Sequence, residues 1–250
     1  MHALGPVVLL DSLTADQIGD PPAYFNARYL LATAAASPIP ATKTLGDFAG
    51  SFVERARAEM HWPAEPPEVV RFVDKGLDDR DIPRLRLLRG SLQSGRMLRR
   101  YRGAFHATTR GRALLAPGRE GGLYLALFEG YFAPTDPAYA DHCAIDPRLQ
   151  RSVPQMLERL LQSAGESLTV GELAAGTPAD TAERSIAEDH PRSTLLGVTL
   201  RQGILEPLED LGLIETADAA GERSRHDQPQ CRLRVTPLFQ RFVIGSASLN

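Results

Sequence analysis

Residues 92–108 read LQSGRMLRRYRGAFHAT, and they change rhythm in the middle. Leu85, Leu88 and Leu92 repeat at the i, i+3, i+7 spacing of one apolar helix stripe, so the pattern predicts a helix over 82–94 with Asp81 as its N-cap. Beyond Gly95 the chain reads as two strands, Met97 to Tyr101 and Ala104 to Thr108, across an Arg102-Gly103 turn whose type this residue pair leaves open. Thr108 then offers a side-chain oxygen to a short helix, Thr109 to Leu115, which Pro117 and Gly118 stop. The expected order is helix, hairpin, capped helix.

That order recurs. With the chain laid on itself at an offset of 116 residues, Leu88 meets Ile204, Leu92 meets Leu208, Met97 meets Leu213 and Leu98 meets Ile214. Phe105 to Thr108 likewise matches Leu233 to Thr236 after a longer intervening loop. Thr194 to Leu211 supplies the second helix, and Pro207 inside it demands a kink or a break because proline has no N–H to give. Leu213 to Thr216 and Cys231 to Val235 form the second hairpin. Thr236 caps the last helix, Leu238 to Ile244, with Pro237 at its first position.

Further out, Ala23 to Ala35 reads as a short helix, and Thr44 as the cap of a helix over 45–60 with Phe48, Phe52, Val53, Ala56 and Met60 inward. Gly122 to Phe132 reads as a buried connecting helix. An amphipathic helix begins near Ser152, turning Val153, Met156, Leu157, Leu160, Leu161 and Ala164 inward, and Thr169 caps a short helix ending at Ala175. Gly176 to Pro191 is polar. The expected organisation is a lead-in over 1–43, a first, basic domain over 44–119, a helical linker over 120–151 and a second, acidic domain over 152–250.

The two repeats resemble the winged-helix superfamily of bacterial transcription regulators. Leu205-Glu206-Pro207-Leu208-Glu209-Asp210-Leu211-Gly212-Leu213-Ile214 is similar to the end of such a recognition helix and the start of its wing. Leu92 to Arg100 is similar too, but its glycine, Gly95, stands one position ahead of the place that matches Gly212. The first half also resembles uncharacterised bacterial proteins with this arrangement. The resemblance implies a mainly α chain with small β-hairpin wings, in a tandem winged-helix architecture.

Charge suggests what such a fold would hold. Residues 82–119 contain ten arginines and no lysine, aspartate or glutamate, while the whole chain carries -3, so the remainder sums to -13. A planar guanidinium fork suits phosphate oxygens better than a point charge does. Arg86, Arg89 and Gln93 share one helical stripe, expected to face outward toward base edges. Arg99, Arg100 and Arg102 would lie on the wing near phosphates or the minor groove, and Arg84, Arg96 and Arg110 complete the expected DNA-binding set. Six to eight such phosphate contacts would give a slope of log K against log salt of about -5 to -7.

Residues 153–250 hold nine arginines and lysines against fourteen acids, a net of -5. Glu206, Glu209 and Asp210 on the second helix repel phosphate, so homodimerisation is the expected role of that half. The leading reading is a regulator of transcription, or of a plasmid or mobile element, that binds double-stranded DNA. Its rival is a protein-interaction or scaffold module whose arginines pair internally, with Asp78, Asp79 and Asp81 as candidate partners.

Other chemistries have little support. Asp141-His142-Cys143 sets a nucleophile beside a base without a third group and reads as a loop, His61 as part of a packed helix end, and His190 as a solvated loop residue. There is no GxxxxGK[ST], GxGxxG or HExxH, so no enzyme, cofactor or metal is expected. Six per cent aromatic content argues against a single-strand stacking platform. Cys143 and Cys231 have no CxxC partner, which favours a reducing cytoplasm. The apolar stretch Leu4 to Leu10 lacks a basic flank and is cut by Asp11, and no segment reaches the roughly 18 apolar residues of a membrane span.

Overall fold

A computed structural model describes residues 1–43, 46–62, 82–132, 147–175, 177, 200–216 and 231–246. The chain begins with strands β1 (His2–Leu4) and β2 (Val7–Leu9), then helices α1 (Ala15–Ile18) and α2 (Pro22–Ala36), strand β3 (Ile39–Pro40) and helix α3 (Gly50–Glu59). Helix α4 (Pro83–Ser94) leads into β4 (Leu98–Tyr101), β5 (Ala104–Ala107), α5 (Thr109–Leu114) and α6 (Glu120–Phe132). Then come α7 (Pro147–Gln162), β6 (Leu168–Thr169), α8 (Val170–Ala174) and a π-helical turn (Arg201–Leu205) that runs into α9 (Glu206–Asp210). Strands β7 (Ile214–Thr216) and β8 (Arg232–Val235), helix α10 (Pro237–Phe242) and β9 (Val243–Gly245) complete the order.

The expected mainly α, tandem winged-helix architecture is corrected. Three three-stranded antiparallel sheets are present among the described residues, in the orders β1-β2-β9, β3-β5-β4 and β6-β8-β7, and the fold is mixed α and β. Each expected hairpin gains a third strand of two residues, β3 or β6, too short to show alternation in sequence. The remaining sheet joins the two ends of the chain. Its middle strand, β2, is buried at Val7, Val8 and Leu9, so it reads as a continuous apolar run rather than an alternating one.

The chain divides into two units, Gly19–Ala144 and Met1–Ile18 with Ile145–Asn250. In the first, α6 is buried almost all round and packs against α4 at very short range. A Cβ at Gly130 would collide with the Ser91 carbonyl oxygen, and one at Gly95 would lie 3.1 Å from that of Ala126. Helix α3 starts later than expected because Phe48 makes a β-bridge with Ala41. Phe48 still joins the core, its ring 4.7 Å from Phe52 and 4.5 Å from Phe105. Thr44 and Asp81, the expected caps, lie outside the described residues.

In the second unit α7 starts at Pro147, earlier than expected, and carries Pro154 inside it. It packs against β2, β8, β9, α8 and the π-helical turn, burying Val153, Met156, Leu157 and Leu160. The π-helical turn stands just ahead of Pro207, whose missing N–H cannot continue the regular ladder. Helix α10 ends at Phe242, where the chain straightens into β9 and pairs with β2 rather than continuing to Ile244 as a helix.

The internal repeat extends to individual hydrogen bonds. At the end of α4, Met97 N–H donates to Leu92 O at 2.8 Å and Arg96 N–H to Gln93 O at 2.9 Å. At the end of α9, Leu213 N–H donates to Leu208 O at 2.8 Å and Gly212 N–H to Glu209 O at 2.7 Å. Both pairs make the Schellman motif, which needs a left-handed residue just past the helix. Gly212 fills that place with φ 70°, and Arg96 fills the equivalent place with φ 56°. Gly95 instead lets α4 approach α6 closely. Thr108 and Thr236 cap the next helices alike, accepting from Gly111 N–H at 3.0 Å and from Phe239 N–H at 3.2 Å.

Candidate nucleic-acid interface

The register of the β4–β5 hairpin sets the geometry. Leu98 faces Ala107, Arg99 faces His106, Arg100 faces Phe105 and Tyr101 faces Ala104. Period-2 alternation puts Arg99, Tyr101 and His106 on one side, and Arg100 with the buried Leu98, Phe105 and Ala107 on the other. Arg102 and Gly103 form the turn with φ 49° and 74°, the two positive values that mark a type I′ turn and match the strand twist. The turn type left open by the sequence is thereby settled.

On the exposed side a cationic and aromatic cluster forms. Tyr101 is 49% exposed, with the Arg99 guanidinium carbon 5.5 Å and that of Arg102 5.1 Å from its ring centroid. The His106 ring meets Tyr101 edge-on at 6.2 Å. Arg100 lies across the neighbouring loop, its Nη1 occupying the space that a Cβ on Gly46 would need. Arg96, Arg99, Arg100 and Arg102 are all exposed, and among the described residues no carboxylate forms an ion pair with them. Four fixed positive charges thus lie at the end of α4 and along the hairpin.

The helix behaves differently, and the expected outward stripe of Arg86, Arg89 and Gln93 is corrected. Arg89 is 7% exposed. Its guanidinium donates to Asp47 Oδ1 and to Gly46 O, both at 3.0 Å, and lies 5.8 Å and 5.6 Å from the ring centroids of Phe48 and Phe105. This arginine ties α4 to the 42–47 loop and cannot reach a ligand without leaving the core. Arg84, Arg86 and Gln93 are half-buried at the rims of the same helix face. Arg110 is exposed on α5 and pairs with Glu129 of α6 at 3.7 Å.

The structure therefore leaves Arg96, Arg99, Arg100 and Arg102 exposed, brings Arg99 and Arg102 together at the Tyr101 ring, sets Arg84, Arg86 and Gln93 at the margin of the α4 face, and places Arg89 in the core. Tyr101 and His106 join the cluster although the sequence-based set omits them. Their signal lies in the alternation of Arg99, Tyr101 and the turn arginine.

Residues 22–120 match the family model of the Y4jL N-terminal domain. The match begins at the first residue of α2 and ends at the first residue of α6, so it spans the whole arginine segment and its hairpin. No curated protein and no solved structure matches the chain.

Other expected features have the following places. His61 stacks on Phe25, ring centroids 3.6 Å apart, while its backbone N–H and C=O bond the Asn26 side chain at 2.8 Å each. The Asp141-His142-Cys143 triplet, His190, Asp78 and Asp79 lie outside the described residues. Among the described residues no group of three His, Cys, Asp or Glu side chains converges as a metal site, and no helix is long and apolar enough to cross a membrane.

Proposed function

We propose that the Gly19–Ala144 unit binds the phosphate backbone of double-stranded DNA through the exposed arginines of the β4–β5 hairpin and of the end of α4. The carrying observation is the set Arg96, Arg99, Arg100 and Arg102: exposed and without an acidic partner among the described residues. Guanidinium groups in such a setting raise the local concentration of anions and fork onto phosphate oxygens. The acidic second half is proposed as the homodimer contact, since phosphate repels it.

The core position of Arg89 and the Arg110–Glu129 pair lower the number of available phosphate contacts from the six to eight expected from the sequence. Four contacts give a slope of log K against log salt of about -4. The test is fluorescence anisotropy of a labelled random duplex with the full chain and with an Arg99→Ala, Arg100→Ala, Arg102→Ala variant. Arg89 stays intact, so the fold is not disturbed. Salt-sensitive binding that the variant loses supports the reading. No binding at low salt overturns it, and the interaction-module reading, which the internally paired Arg89 and Arg110 favour, then takes precedence.

A further inference from the structure

We infer that Arg96 and Arg102 are dedicated phosphodiester contacts, kept as arginine against the preference of their own backbone. The inference rests on the DNA reading and assigns two individual residues within it. Their φ values, 56° and 49°, lie in the left-handed region that disfavours every side chain with a Cβ. Other described residues with positive φ, such as Gly5, Gly19, Gly46, Gly103, Gly118, Gly165 and Gly212, are glycines.

The repeat supplies an internal control. Arg96 and Gly212 close equivalent Schellman motifs with the same pair of hydrogen bonds, so glycine satisfies this geometry in the same chain. Arg102 stands at the first central position of a type I′ turn, where glycine, asparagine and aspartate are the favoured residues. Both arginines are exposed. Strained residues persist where function retains them.

Two plainer explanations fall short. A cation at the C-terminus of α4 would complement the helix dipole, but that end could carry it at Gln93 or Ser94 with ordinary helical angles, and the last turn holds no basic residue. Contact with the Tyr101 ring accounts for Arg102 in part, yet Arg99 already makes that contact at 5.5 Å from a regular strand position. Neither explanation requires arginine at both left-handed places. A phosphate chain running past the end of α4 and the hairpin tip calls for a long cationic side chain at both.

The experiment measures thermal midpoint and duplex affinity for the full chain, Arg96→Gly, Arg102→Gly and Arg96→Lys, across a series of salt concentrations with a labelled random duplex. Each glycine variant is expected to melt about 2 °C higher than the parent. Each is also expected to bind several-fold more weakly, with the salt slope shallower by about one. Arg96→Lys should retain the parental slope and midpoint. Glycine variants that bind with the parental slope, or that melt lower, overturn the inference while leaving the DNA reading in place. A parent chain that shows no salt-dependent binding overturns the DNA reading itself.

Discussion

Arg89 and Asp47 form a buried ion pair, Nη2 to Oδ1 at 3.0 Å, with side chains 8% and 10% exposed. Arg89 belongs to the most arginine-rich segment of the chain, yet it serves the core. Removing one partner of such a pair leaves a buried, uncompensated charge, which costs about 3–5 kcal/mol. Arg89→Ala is therefore expected to lower unfolding free energy by that amount in urea titration. Arg89→Met combined with Asp47→Leu should recover most of it, because no charge is left stranded. A single variant as stable as the parent would show that the pair carries no weight in the fold.

The position of Arg89 was legible, although reading the leucines by themselves hides it. At 100° per residue, Leu88 and Leu92 lie about 60° and about 20° to one side of Leu85 and Arg89 about 40° to the other, so adding Arg89 widens the leucine arc only to the roughly 100° of an ordinary buried helix stripe. Arg86 and Gln93 lie about 80–100° from Leu85, at the edge, and the structure half-buries them accordingly. The end of α4, the place of the Arg102-Gly103 turn and the Thr108 and Thr236 caps could be read because each rests on local chemistry, whereas the starts of α3 and α7 and the end of α10 could not, since β-pairing and tertiary packing set them. The pairing of β2 with β9 could not, since the two segments stand at opposite ends of the chain and no local pattern names a partner. Within the site, the arginines were visible from composition, whereas their division into core and surface depended on Asp47, Phe48 and Phe105 arriving from elsewhere in the sequence.

Glycines on the two packed helices should respond in opposite directions to a methyl group. At Gly130 the new Cβ would collide with Ser91 O, backbone against backbone, so Gly130→Ala must push α4 and α6 apart. Overpacking of this kind costs about 1–3 kcal/mol. At Gly90, inside α4, nothing lies within 4 Å of the new Cβ. Gly90→Ala should therefore stabilise by about 0.5–1 kcal/mol through the lower helix entropy of alanine. Thermal midpoints of the two variants, measured side by side, check the contrast. A neutral Gly130→Ala would mean that the helices have room to part.

Acid should weaken the start of α8 through Glu172. The Thr169 N–H donates to its carboxylate at 2.7 Å and the Thr169 hydroxyl at 2.8 Å, while the same hydroxyl accepts from Glu172 N–H at 3.1 Å. The backbone donor first, and the hydroxyl second, hold the Glu172 carboxyl below its ordinary value of 4.5. A depressed carboxyl contributes stability above its unfolded pKa and loses that contribution as pH falls through its folded pKa. The melting difference between the parent and Glu172→Ala should therefore be largest near neutrality and shrink as the pH falls below the ordinary carboxyl value of 4.5 and through the lower value of the folded chain. A difference that stays constant across this range would assign the effect to helix propensity rather than to the capping box.

Tyr101 allows charge and orientation to be separated at the hairpin. Its ring lies beside the guanidinium groups of Arg99 and Arg102 and against the edge of His106, and it is not itself a cation. Cation–π contacts at exposed sites are worth about 0.5–1 kcal/mol, so Tyr101→Ala should disturb the fold only slightly. Without the ring the two arginines regain rotamer freedom, which ordering on a ligand must then remove. Tyr101→Ala is expected to weaken duplex binding by a few-fold while leaving the salt slope unchanged, since the number of cations meeting phosphates is the same. Tyr101→Phe should bind like the parent because the ring face remains. A shallower slope in Tyr101→Ala would mean that an arginine contact has been lost outright, and equal loss in Tyr101→Phe would assign the role to the hydroxyl instead.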